Sequence, residues 1–474
     1  MTLRDLFGFP QPPVAVSALA FDDRVVAPGT VFFCVPGRTR DGHNFAAQAV
    51  ARGAVALVVQ RPLDDPALAG VPQVRVEDVR AAMAPAAAAL HGDPTASLLT
   101  AGITGTNGKT TTAYLLRALL EAGGHRTGLL GTISSIVGGA QEATQRTTPE
   151  AIDLQRGFAA MLKAGDTHCV MEVSSHALAL HRADAIHWAV ALFTNLSQDH
   201  LDFHPDMEGY FAAKRRLFVA TEGPSVVNVD DPYGRRLAAE LPGAVTFGVG
   251  EGAAVRATDV SFGLHGSDFT LDGVRLHVAL PGRFNVVNVL GAIAAARVLG
   301  LTDAAIAAAL PEAGRVPGRL ESVDEGQEFA VLVDYAHTPD GLENVLRAAR
   351  ELARGCRVLV VFGAGGDRDR GKRPLMGAAV AAHADVAIVT SDNPRSEEPD
   401  AIVAEVLAGT DSGATALVDR RAAIAYAVEA ARPGDVVLIA GKGHEQGQEF
   451  AGGRTEPFDD VTVARDALRE RIGL

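Results

Sequence analysis

The sequence predicts an α/β protein built from three domains, and three observations carry that reading. A chain of 474 residues accommodates about three domains at ~100–200 residues each. Short apolar runs recur along it, many followed by a loop and a helix-compatible stretch, which is the pattern of a largely parallel sheet. Two stretches rich in turn residues, "HGDPTAS" and "GRVPGRLE", interrupt that pattern, so domains are expected at 1–97, 98–316 and 317–474.

Each element follows in order. In the first segment, "VVAPGTVFFCVPG", "VALVVQ" and "VPQVRV" read as strands around the helical "NFAAQAVARG", a small α/β unit. From Leu98 the pattern restarts with the strand "LLTAGIT", a loop, and the helix "TTTAYLLRALLEAGG", which Gly123 and Gly124 can end. Strands "THCVMEVSS" and "AVALFTNLS" continue the sheet. Past the second boundary, "FAVLVDYAH", "RVLVVFGAGG", "ADVAIVTSD" and "DVVLIAGKG" alternate with helical stretches, as in a Rossmann-like domain. No long-period repeat and no low-complexity tail occurs.

Composition narrows the function classes. Hydrophobic content of 47% and charged content of 21% describe an ordinary globular protein. No apolar run reaches the ~18 residues of a membrane span, since "AAMAPAAAAL" is short and holds Pro85. The start, "MTLRDLFGFPQPP", lacks the apolar core of a signal peptide. Cys34, Cys169 and Cys356 are few and widely spaced, which suits reduced thiols and a cytoplasmic location. A net charge of −14 argues against generic nucleic-acid binding. Only five of the 43 basic residues are lysine: Lys109, Lys163, Lys214, Lys372 and Lys442. In a chain that otherwise uses arginine, a retained lysine points to a need for an amine.

The stretch "GITGTNGKTT" (102–111) departs from the strict phosphate-loop pattern at Ile103. It still supplies a preceding strand, the small Gly105 and Gly108, the cation Lys109 and the hydroxyl of Thr110 at a helix start. No guanine-reading N-K-x-D tetrapeptide occurs, which favours ATP. Glu172, at the end of an apolar strand, needs a partner such as a metal ion. In "TNLSQDHLDFHPDMEGYFAAKRR", His200 and His204 have zinc-pair spacing, but the strand exit and Pro205 argue against that reading. Lys214 stands alone before two arginines; a lysine of depressed pKa can take up carbon dioxide and become a carboxylate. "GAGGDR" lacks the third glycine of a dinucleotide fingerprint. Arg395 in "DNPR" follows a strand and can grip a carboxylate in bidentate fashion, while Glu445 can receive an ammonium.

Taken together, "GTNGKTT", "RTTPEA", "MEVSSHAL", "FTNLSQDHLDFH", "AAKRRLF", "PGRFNVVNVLGA", "PGRLE", "VDYAHTPD", "GAGGDRDRGKRP", "DNPRSEEP" and "GKGHE" resemble the Mur ligase family over nearly the whole chain. The resemblance is to the branch that adds the third amino acid to the peptidoglycan precursor. It implies a small N-terminal uridine-binding domain, a central phosphate-loop ATPase-like domain and a C-terminal Rossmann-like domain. It further implies that Gly105, Thr106, Asn107, Gly108, Lys109, Thr110 and Thr111 hold ATP, with Asn285 and Asn288 near the adenine. Arg319, Asp334 and His337 would approach the nucleotide on domain closure. Lys109, Lys214, His200 and Glu172 would form the catalytic set, and Mg2+ would be held by Thr110, Glu172, His200 and Lys214 as its carbamate.

The sugar-peptide would meet Asp23, Thr147, Thr148, Ser174 and Arg182. The amino acid would meet Arg368, Asp392, Asn393, Pro394, Arg395, Gly441 and Glu445. Two departures stand out: Asp22-Asp23-Arg24 replaces a common Asp-Ser-Arg, and Leu180 replaces a common polar residue. The implied reaction is ATP-dependent amide formation on UDP-N-acetylmuramoyl-L-alanyl-D-glutamate through an acyl phosphate. Arg395 favours meso-2,6-diaminopimelate as the added amino acid, with lysine or ornithine as alternatives. A folylpolyglutamate synthetase-like ligase and a non-catalytic precursor sensor are more distant readings. The enzyme is expected to act as a monomer on small molecules, without nucleic acid or membrane insertion.

Overall fold

The computed structural model describes residues 1–8, 10–37, 40–144, 146–314, 316–410 and 413–473. Its contacts divide the chain into two compact units that are discontinuous in sequence. The first comprises Met1–Gly102, His125–Ala191 and Ala213–Gly223, and the second Ile103–Gly124, Leu192–Ala212 and Pro224–Leu474.

In the first unit, β1 (Ala18–Ala20), β2 (Thr30–Phe33), β3 (Ala54–Val59) and β4 (Gln73–Arg75) form a parallel sheet in that order. Successive side chains of β2 point to opposite faces. Val31 and Phe33 pack in one core with Val79 and Met83, and Phe32 in another with Ala46 and Ala49. The Val79–Leu90 helix is capped by the Asp78 carboxylate and carries Pro85 within it. Strand β5 (Leu99–Thr104) starts in this unit and ends in the second. The chain continues with β6 (Thr127–Leu130), β7 (Ser134–Val137), β8 (Ala140–Ala143) and β9 (His168–Glu172). Strands β9 and β6 pair in parallel, as the sequence pattern predicts, whereas β6, β7 and β8 form an antiparallel meander. Gly138 and Gly139, both at positive φ, make the tight turn between β7 and β8. Strand β10 (Trp188–Phe193) passes from the first unit to the second.

The second unit holds β11 (Ser225–Asn228), β12 (Val245–Gly248), β13 (Val255–Gly263), β14 (Gly266–Leu271) and β15 (Val274–Val278). The first three are parallel and the last three antiparallel. Asp272-Gly273 closes the β14–β15 hairpin, again at positive φ. The buried Arg283–Val298 helix packs beside the Lys109–Ala122 helix and buries two amides, Asn285 and Asn288.

The remainder of this unit is a sheet of β16 (Glu321–Ser322), β17 (Ala330–Asp334), β18 (Val358–Phe362), β19 (Val386–Val389), β20 (Thr415–Ala416) and β21 (Val436–Ala440). Their spatial order is β16-β17-β21-β18-β19-β20, and all but β16 run parallel. Helices Pro339–Ala353, Lys372–His383 and Pro399–Leu407 cover one face, and Arg420–Ala430 and Asp460–Ile472 the other. The loops leaving β17, β21, β18 and β19 therefore emerge side by side at the carboxyl edge, where open α/β sheets bind ligands.

Candidate functional site

Strand β5 delivers the phosphate loop to the start of the Lys109–Ala122 helix. Gly105 has φ 151° and Gly108 φ 84°. A Cβ at either would collide with Thr194 Oγ1 or Asn288 Oδ1, so only glycine fits. The loop is braced by a neighbouring segment not singled out for this role in the sequence. Asn107 N–H donates to Asn195 Oδ1 at 2.9 Å, Thr194 Oγ1 donates to the Asn107 carbonyl at 2.6 Å, and Ser197 N–H donates to Thr106 Oγ1 at 3.0 Å. Lys109 Nζ donates to the carbonyls of Gly105 (3.0 Å) and Thr106 (2.8 Å). Thr111 is buried in the first helical turn. Asn288 Nδ2 donates to Asn285 Oδ1 at 3.2 Å, which locks the amide under Gly108.

Residues from the 317–474 segment reach this loop within the same unit. Arg319 Nη2 donates to Thr110 Oγ1 at 3.0 Å, and its guanidinium lies over the Tyr335 ring. Asn107 Nδ2 donates to Asp340 Oδ2 at 2.7 Å. Lys372 Nζ lies 3.2 Å from Asp199 Oδ1, which also accepts the His200 N–H at 2.9 Å. Burial alone would raise the Asp199 carboxyl, but Lys372, His200 and His337 hold it well below the ordinary range. Burial, reinforced by Lys372, pushes the His337 imidazole down. Its Nδ1 lies 2.8 Å from the Tyr335 carbonyl, which sets Nδ1 as the donor and Nε2 as the acceptor. Asp334 accepts the N–H groups of Leu320 and Ala336, both at 2.8 Å; burial raises its carboxyl and Arg319 opposes that rise. His200 sits at φ 57°, and His204 stacks on Tyr210.

The loops after β17, β21, β18 and β19 gather the residues expected at the amino acid. Glu445 accepts from Asn393 Nδ2 at 2.8 Å, from Lys442 Nζ at 2.9 Å and from Tyr335 OH at 3.3 Å. Asp392 lies beneath Gly441, whose φ is 123°. Arg395, at φ 52°, donates from Nε to Glu449 Oε2 (2.9 Å) and from Nη1 to the Gly366 carbonyl (2.8 Å). A Cβ on Gly366 would collide with the Pro394 carbonyl, which explains the close approach of these two loops. Arg368 turns its Nη1 to the neighbouring Asp367 carbonyl at 3.0 Å. Sequence reading assigned no role to Tyr335 or Glu449 and marked Lys442 only as a retained lysine; the signal available was their place in, or a few residues from, the quoted motifs.

The first unit holds a second cluster. Glu172 is fully buried, and its two oxygens accept the Thr132 N–H (2.8 Å) and hydroxyl (2.9 Å). Thr147 Oγ1 is 3.0 Å from Thr132 Oγ1. Thr148 Oγ1 donates to the Glu172 carbonyl at 2.9 Å and accepts the Ser174 N–H at 3.0 Å. Arg182 Nη1 donates to the Thr148 carbonyl at 3.3 Å, and Arg182 pairs with Glu150. Lys214, on the Met207–Val219 helix, is buried, with 1% of its surface exposed. Asp23 lies in a short turn capped by Asp22 and is ion-paired with Arg52. Leu180 ends the Ser175–Ala179 helix. Of the residues expected at magnesium, Glu172 and Lys214 lie in this unit, and Thr110 and His200 lie in the second.

Three family descriptions match this sequence: "Mur ligase family, catalytic domain" over residues 16–91, "Mur ligase middle domain" over 103–296 and "Mur ligase, glutamate ligase domain" over 318–443. The UDP-N-acetylmuramoyl-L-alanyl-D-glutamate–2,6-diaminopimelate ligase of Syntrophomonas wolfei is 44% identical over 471 residues, covering 96% of this chain and 95% of its own length. A solved structure of a ligase of the same name aligns with a TM-score of 0.70 at 32% identity, covering 100% of this chain and 99% of its own. The MurF ligase of Thermotoga maritima, solved in complex with ADP, shares the fold at 19% identity with a TM-score of 0.65, over 97% of this chain and 98% of its own. No helix among the described residues is long and apolar enough to cross a membrane. The three-domain α/β architecture, the ordered motifs and the full-length relatives agree: this chain belongs to the Mur ligase family of amide-bond-forming ligases.

Proposed function

We propose that the chain joins 2,6-diaminopimelate, in its meso form, to UDP-N-acetylmuramoyl-L-alanyl-D-glutamate at the expense of ATP, in peptidoglycan biosynthesis. One observation carries the choice of amino acid. In the loops after β19 and β21, Arg395 donates to Glu449, whose N–H donates to Asn393, which in turn donates to Glu445; we read Arg395 as the carboxylate receptor and Glu445 with Asn393 as the ammonium receptor. A ligand bearing an amine and a carboxylate at its far end satisfies both. The names of the full-length relatives support the same substrate.

In this reading the sugar-peptide carboxylate attacks the γ-phosphorus of ATP and ADP departs, leaving an acyl phosphate. The amine of the diamino acid then adds to the acyl carbon, and the tetrahedral intermediate collapses with loss of phosphate. Lys109, the backbone N–H groups at the helix start and Arg319 hold the nucleotide phosphates and offset their charge. Bound magnesium would supply further neutralisation of the phosphate oxygens, held by Thr110, Glu172, His200 and Lys214. The neutral amine of Lys214 would add to carbon dioxide, forming an N–C bond and releasing a proton to give the carbamate. Thr147, Thr148, Ser174 and Arg182 grip the sugar-peptide, and Asp23 lies on the uridine side. The segments 1–97, 98–316 and 317–474 serve as uridine-, ATP- and amino-acid-binding domains of a cytoplasmic monomer.

Phosphate release measured with 2,6-diaminopimelate, lysine and ornithine tests the assignment. Turnover is expected with the first and at least about tenfold less kcat/KM with the others. Arg395→Ala is expected to erase that preference; an unchanged preference would refute the role of the arginine.

A further inference from the structure

Lys442 follows β21 and is completely buried. Its ammonium donates to Asn393 Oδ1 at 3.0 Å and Glu445 Oε2 at 2.9 Å. It also stands 3.7 Å from Asp392 Oδ1, a buried oxygen with no hydrogen-bond partner among the described residues. The three acceptors come from the loops after β19 and β21, whose strands flank β18. A compact ammonium fits this fully buried cluster, whereas the larger planar guanidinium does not. That geometry accounts for a lysine at 442 in a chain that otherwise favours arginine.

The charges in the pocket add a second constraint. Asp392 and Glu445 both approach the Lys442 ammonium, and Arg420, bound to Asp460 through hydrogen bonds of 2.8 and 2.7 Å, adds a second buried positive charge that also acts on both carboxylates. Asn393, Tyr335 and Lys442 fix the Glu445 oxygens, while the Glu445 side chain keeps 29% exposure. The cluster is thus open on the glutamate side.

We propose that Lys442 is a positioning residue for the incoming diamino acid: it fixes Asn393 and Glu445 in the arrangement that receives the ligand ammonium. This rests on the reading that Asn393 and Glu445 receive the amino acid. In Lys442→Met, KM for 2,6-diaminopimelate is expected to rise about tenfold or more, with KM for ATP and for the sugar-peptide within about twofold of wild type. Lys442→Arg is expected not to restore it. A folded Lys442→Met enzyme with wild-type diaminopimelate KM overturns the proposal, as does an equal rise in all three KM values. Glu445→Gln separates the two levels. If it raises diaminopimelate KM while Lys442→Met does not, only the lysine's role fails; if neither raises it, the placement of the amino acid fails. Should Lys442→Met not fold, the charge-balanced Lys442→Met/Glu445→Gln protein is expected to show a diaminopimelate KM within about twofold of Glu445→Gln alone. A value well above that overturns the proposal.

Discussion

Lysine usage in this chain is a chemical signal, and the structure gives it content. Lys109, Lys214, Lys372 and Lys442 are wholly or largely withdrawn from solvent, while Lys163 lies exposed on the Ala151–Ala164 helix. Lys214→Ala is therefore expected to abolish turnover, with no rescue by added bicarbonate because the amine itself is gone. Lys163→Ala should leave kcat/KM within about twofold of wild type. Phosphate-release assays on both proteins check this, and equal losses would defeat the distinction. The strand-loop-helix around Lys109 and the buried strand-end position of Glu172 were legible in the sequence because each has a local signature: small residues before a cation, and a carboxylate ending an apolar strand. The Lys372–Asp199 and Lys442–Asn393 partnerships join residues far apart in the chain. No spacing rule encodes such pairs; tertiary packing creates them.

Among elements, the strands of the 317–474 segment were legible because buried parallel strands read as unbroken apolar runs. The antiparallel hairpins were less so, although Gly138-Gly139 and Asp272-Gly273 are the residue pairs that two-residue hairpin turns demand. Those turns lie inside segments whose flanking strands are part polar, as in β8, so periodicity is weak there. Strand β9 carries a testable titration. His168 is buried beside the His125 ring, and burial lowers its pKa to about 4. An unfolded chain binds that proton near the ordinary histidine value of ~6.5. The resulting stabilisation is complete above pH ~6.5 and is lost as the pH falls towards 4, by up to about 3 kcal/mol. Urea midpoints across that window should fall less steeply in His168→Gln than in the wild type. Parallel slopes would show that the imidazole does not contribute.

For the molecule as a whole, polar contacts within the second unit join the sheet of the 317–474 segment to the phosphate loop and to the segment beside it, and one is a buried ion pair. Lys372 and Asp199 have side chains only 6% and 8% exposed. Lys372→Met strands an uncompensated carboxylate and is expected to cost about 3–5 kcal/mol of unfolding free energy. Lys372→Met/Asp199→Asn should regain much of that loss, measured by denaturant midpoints. A single variant as stable as wild type would show that the pair carries no structural weight. This link was beyond sequence reading, since Asp199 and Lys372 lie in motifs whose own local patterns give no hint of one another.

Lys109 also shapes how nucleotide capture is shared between enthalpy and entropy. Because its ammonium is tethered by the carbonyls of Gly105 and Thr106, its rotamer freedom is surrendered when the protein folds. An arriving triphosphate exchanges dipoles for formal charges without having to immobilise a wandering side chain. Calorimetric titration with ATP should accordingly register a modest entropic penalty, with the heat of ligand exchange as the larger contribution.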